Sequence, residues 1–142
     1  MPARERFAWV WITTLVVVFS LYFAAIGLHW PENNPSFLMQ IAVLTLTTGT
    51  MAMVVGADRV IAWARGQGFR FDPPDERDRC IEWRASAYGY YVLMAGMIVV
   101  GCMMPFTNAG WDIVHAALFF IVIAELVHHG AIVLGYRRGW HA

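Results

Sequence analysis

The chain has 142 residues, of which 59% are hydrophobic and 14% charged. Soluble domains carry about 25% charged residues, so a surface solvated by water alone is excluded, and so is a disordered chain. Ten basic and ten acidic residues cancel, which argues against a nucleic-acid binder, and two cysteines are too few for a disulfide scaffold.

An integral membrane protein of a single domain over residues 1–142 is expected. A spanning helix needs about 20 mostly apolar residues, and four stretches qualify. The first runs from Phe7 to Leu28 without a charge. It exceeds the apolar core of a signal peptide, about 7–15 residues, so it reads as a retained span. Trp30 to Ser36 form a short turn, with Ser36 placed to cap the next helix. The second span runs from Phe37 to Val55. A long charged connection follows over Asp58 to Arg84, broken by Gly66, Gly68, Pro73 and Pro74. Asp72, Pro73 and Asp75 read as a helix start there, so the third helix is expected to begin near Asp75, outside the membrane. Its span covers Ala85 to Met104, Pro105 stops it, and the fourth span covers Ile113 to Leu134. The expected fold is an all-α membrane four-helix bundle.

Arginine placement gives the direction. Arg4 and Arg6 precede the first span, six arginines lie between Arg59 and Arg84, and Arg137 and Arg138 follow the fourth span. With four spans, all ten fall on one side, which the positive-inside rule makes the cytoplasm. Both termini are then cytoplasmic, in a multi-pass protein of a bacterial inner membrane. The tryptophans and tyrosines near the span ends, Trp9, Trp11 and Tyr88 among them, read as headgroup anchors.

Helix contacts in lipid favour small residues. Ala52 with Gly56 on the second helix, and Ala85 with Gly89 on the third, are spaced for it. Thr45, Thr47, Thr48 and Thr50 are expected to bond mainly to their own helix.

Glu125 is the only acid deep in a span. A charge there is costly and should face the bundle, paired or protonated. His128 and His129 follow at i+3 and i+4, and His129 is the better partner. His115 falls on the same side of the helix. The stripe has three readings: structural pairing, proton or cation handling by Glu125 with His128 or His129, and a haem or metal site. Two histidines 14 residues apart, His115 and His129, match the spacing of helices that ligate two stacked haems in b-type cytochromes. His29 is level with His115 and could complete an outer site, but no span supplies a partner to His129. Cys102, Met103 and Met104 lie at that outer end and offer soft ligands for monovalent copper. The Glu-x-x-His spacing of Glu125 and His128 occurs once, whereas di-iron bundles need it twice. No cofactor is therefore expected, with haem or copper as the alternative.

The run Asp75-Glu76-Arg77-Asp78-Arg79 alternates acid and base, as a solvated helix face or a surface for docking a partner does. Pro74 to Ala85, with Tyr88 and the apolar helix after it, resembles small membrane proteins of bacteria and archaea. In those, an Asp-Glu-Arg segment and an isoleucine precede an Arg/Lys-Ala pair and a span. The resemblance covers the third helix. It implies a membrane protein without an assigned activity, in some members beside small transcription regulators, and hence a regulatory partner. Glu125 and the histidines lie outside the shared pattern. Small multidrug transporters also have four spans and an intramembrane glutamate. Theirs is on the first helix between tiny loops, so that comparison fails.

The leading expectation is a non-enzymatic accessory or regulatory membrane protein, self-associating or in a membrane complex. The alternatives are a small proton- or cation-coupled transport component using Glu125 and the adjacent histidines, and a haem- or copper-binding redox subunit.

Overall fold

A computed structural model describes residues 3–29, 36–66, 75–108 and 110–138. They form four long helices: α1 (Ala3–His29), α2 (Phe37–Ala64), α3 (Glu76–Ile98) and α4 (Gly110–Arg138). Beyond Ile98, α3 continues as a π-helical turn over Val99–Met103 and a 3-10 turn over Met104–Phe106. There is no strand among the described residues, and the four helices are long and apolar enough to cross a membrane.

The helix starts follow the capping logic of the sequence. Ser36 Oγ accepts from the Met39 N–H at 3.4 Å, and Asp75 Oδ1 accepts from the Asp78 N–H at 2.6 Å. Each side chain accepts from an N–H of the first turn, where the ordinary i→i−4 partners are missing. Asp75, rather than Asp72, is thus the cap of α3. Glu76 and Asp78 add negative charge at the positive helix end. The helices outrun the apolar stretches that announce them. α2 does not stop at Val55 but continues to Ala64, because Asp58 and Arg59 interrupt the hydropathy without breaking the helix. Gly66 ends it in a left-handed conformation, φ 75°, which costs glycine nothing. The connection expected over 58–84 is therefore helical at both ends. At the far end of α3, Pro105 has no N–H for the ladder, and the Met104 N–H reaches back to the Val99 carbonyl in π register.

The chain divides into two compact units. One comprises Met1–Ile12 with Asp72–Ala142. Its core is Ala8 of α1, Ile81 and Ala85 of α3, and Ala131, Ile132 and Val133 of α4, edged by Ile12 and Tyr136. Small residues let α3 and α4 approach, as expected of Ala85 and Gly89. Ala85 is completely buried. A Cβ on Gly89 would stand 3.0 Å from His128 Cβ and 3.3 Å from the Ala124 carbonyl oxygen. A Cβ on Gly96 would overlap the Phe120 ring.

The other unit is Thr13–Phe71. On α2 the buried residues Gln40, Thr47, Met51 and Ala62 recur on one face. Ala52 and Gly56 lie on the opposite side, exposed, with nothing within 4 Å of a Cβ built on Gly56. Among the described residues, the contact expected of this small pair is not made. The threonines do bond to their own helix: Thr47 to the Val43 carbonyl at 2.7 Å, Thr48 to Leu44 at 2.9 Å and Thr50 to Leu46 at 2.8 Å.

The two kinds of glycine should respond differently to added bulk. Gly96→Leu should lower stability by about 1–3 kcal/mol, the usual cost of overpacking a filled contact. Gly56→Leu should leave it nearly unchanged. Thermal denaturation of both variants in detergent checks this. Equal midpoints would show that α3 and α4 do not meet at Gly96.

Candidate functional site: an intramembrane Glu-His pair above a charged lock

Within the unit built on α3 and α4, one end is held by a polar network. Arg4 Nη1 donates to Glu82 Oε1 at 2.9 Å, and its Nε lies 3.6 Å from Asp78 Oδ2. The Tyr136 hydroxyl donates to the other Asp78 oxygen at 2.5 Å. Arg77 Nη2 donates to the Tyr136 carbonyl at 3.3 Å. Arg137 Nε lies 3.5 Å from the carboxylate of the buried Glu5, and its guanidinium sits 5.4 Å from the Trp9 ring centroid. The start of α1, the start of α3 and the end of α4 are thereby joined. Exposed ion pairs are each worth about 0–1 kcal/mol. The phenol–carboxylate bond is partly buried and shares its acceptor with Arg4, so the network holds more than its pairs do singly.

Farther along the same three helices lies the pair singled out in the sequence. His129 Nδ1 is 3.3 Å from Glu125 Oε2, at i,i+4. The same nitrogen is 3.1 Å from the Glu125 backbone carbonyl. The imidazole is the shielded member, its side chain 11% exposed against 39% for Glu125. The shield is aromatic and comes from α1. The Trp11 ring stacks on His129 with centroids 5.1 Å apart and planes at 14°, and Phe7 meets it edge-on at 6.4 Å. The Trp11 indole nitrogen is itself buried. His128 stands nearly perpendicular to His129, centroids 4.8 Å apart, with its Cβ against Gly89 of α3.

The remaining expected residues do not join this pair. His115 is ten residues earlier on α4, about 15 Å along the axis at 1.5 Å per residue, and packs near Trp111 with centroids 5.9 Å apart. Cys102 and Met103 are exposed on the π-helical turn, and Met104 is half-buried. Cys80 and Cys102 are free thiols. The His29 side chain lies outside the described residues. Among the described residues, no three His, Cys, Asp or Glu side chains group as metal ligands do. Of the charged run, Asp75 caps α3, Arg77 and Asp78 serve the lock, and Glu76 and Arg79 are exposed.

Two features escaped the sequence reading. Trp11 covers His129, a role beyond headgroup anchoring. The Glu125 carbonyl gives His129 a second acceptor, so the imidazole does not depend on the carboxylate alone. The i,i+4 spacing held the second signal, since a histidine can turn back to the carbonyl of its own helix. Nothing periodic announces the first. Comparison with family models, with curated proteins and with solved structures gives no match.

The geometry ranks substitutions around the pair. Glu125→Gln and Glu125→Leu should each cost about 1 kcal/mol or less, because His129 Nδ1 keeps its carbonyl acceptor. Trp11→Ala removes the stacked ring and should cost at least about 2 kcal/mol. Thermal midpoints in detergent measure both. If Glu125→Leu proved as damaging as Trp11→Ala, the carboxylate, and not the stacking, would be what holds the imidazole.

Proposed function

We propose that this is a multi-pass inner-membrane protein, both termini and the connection over 58–84 cytoplasmic, that acts without catalysis as an accessory or regulatory component for a partner. The observation that supports this reading is how α3 is divided between two faces. Arg77, Asp78, Ile81, Glu82 and Ala85 face α1 and α4 through the lock and the core. Glu76, Arg79 and Trp83 lie on the opposite side of the helix, all exposed, Trp83 to 80%. An acid, a base and an indole in one row make a surface that a partner can grip. A load placed there is transmitted to α1 and α4 through Asp78. The resemblance of this segment to membrane proteins found beside transcription regulators points the same way. The direction of insertion rests on the arginines, and the lock supports it. Arg4, Arg77 and Arg137, far apart in sequence, come to one end of the same unit.

A second reading has one specific observation in its favour. A carboxylate and an imidazole pair within an apolar helix, and intramembrane ionisable pairs mark proton and ion pathways. In that reading the protein is a small proton-coupled transport component.

Two measurements test the proposal. A cysteine placed at Asn108 should react with an impermeant reagent outside intact cells, and one placed at Gly68 should not. Reaction at Gly68 from outside would overturn the topology. A photocrosslinking residue at Arg79 should give a discrete protein adduct in cells that disappears when Glu76 is reversed to Arg. Adducts with lipid only would contradict the partner reading.

A further inference from the structure

The contacts of His129 fix more than its position. Its Nδ1 faces two oxygens, the Glu125 backbone carbonyl at 3.1 Å and the Glu125 carboxylate at 3.3 Å. A backbone carbonyl has no hydrogen to give and can only accept. A bond to it therefore requires a hydrogen on Nδ1, whatever the state of the carboxylate. A neutral imidazole carries one N–H, so with Nδ1 occupied the other nitrogen, Nε2, holds the lone pair.

We infer that Nε2 of His129 is a proton-binding atom within the membrane, with the Glu125 backbone carbonyl fixing its tautomer and Trp11 as its cover. The inference rests on the second reading above, that the pair handles protons, and names the atom that does so. The step is an acid–base exchange without electron transfer. A proton from hydronium bonds to the Nε2 lone pair and leaves water behind. The ring becomes an imidazolium, with its Nδ1–H still directed at the carbonyl and the carboxylate. In the return step water takes the same proton from Nε2.

The surroundings suit a ring that alternates between neutral and charged. The carboxylate lies on the Nδ1 side, where it offsets the charge without competing for Nε2. The Trp11 face is parallel to the ring, and an indole face attracts a cation laid against it. From α4 the titratable groups facing the ring are Glu125 and His128. From α1 the facing rings are Phe7 and Trp11, which do not titrate. On α3, Gly89, which has no side chain to titrate, lies against His128.

The test uses the full chain, labelled with 15N-histidine and held in lipid nanodiscs, with side-chain nitrogen shifts followed as pH is varied. The His129 signals are assigned by backbone correlation, with His129→Gln as a control. Nδ1 should stay protonated at every pH, and Nε2 should pass from protonated to unprotonated as pH rises. Glu125→Gln should keep the hydrogen on Nδ1, since both the carbonyl and the amide oxygen still accept. Loss of the proton from Nδ1, or an Nε2 that never changes state, would overturn the inference. Proton flux into proteoliposomes separates the two claims. The expected nitrogen pattern without flux sustains this site and removes the transport reading. Flux with the hydrogen on Nε2 of the neutral ring overturns the site and keeps the transport reading.

Discussion

Asp78 uses one carboxylate to hold two other helices. One oxygen accepts from the phenol of Tyr136, near the end of α4, and the other faces the guanidinium of Arg4, near the start of α1. Because Asp78 itself sits in the first turn of α3, three helix ends meet at one side chain. Within lipid, apolar faces have little reason to prefer one another over acyl chains, so apolar packing alone does not select which helices lie together. A polar knot at the helix ends does. Arg77, Glu5 and Arg137 extend it with contacts that again join different helices.

The lock gives the intramembrane pair its setting. With the start of α1 held beside α4, Trp11 and Phe7 meet His129. Close approach of α3, permitted by Ala85 and Gly89, brings its backbone against His128. The Glu125–His129 pair itself is a property of one helix, since i,i+4 spacing suffices to form it. What the fold adds is the cover, so that the imidazole is shielded while the carboxylate remains more open. An exposed surface on α3 and a shielded titratable ring on α4 thus belong to one unit, joined through residues near the cytoplasmic end proposed for it.

Much of this was legible in the sequence for reasons of period and length. Long apolar runs announced four spans, Ser36 and Asp75 announced helix starts, and Glu125 with His129 announced a pair. What stayed hidden involves contacts between distant positions. Arg4 and Glu82 are 78 residues apart, and Tyr136 and Asp78 are 58 apart. No local pattern selects those partners from ten arginines and ten acids. Hydropathy places the second span, Phe37 to Val55, and not the end of its helix, which comes where Gly66 turns the backbone. The place of Trp11 near a span end fits a headgroup anchor as well as it fits stacking.

The claim on which the rest depends is that Asp78 couples α1 to α3. A double-mutant cycle over Arg4→Ala and Asp78→Ala, read as unfolding free energy in detergent, measures that coupling directly. A coupling energy of about 0.5–1 kcal/mol is expected, with the double variant less destabilised than the sum of the single ones. Strict additivity would mean that the two side chains do not act on each other, and the three helix ends would then need another fastening.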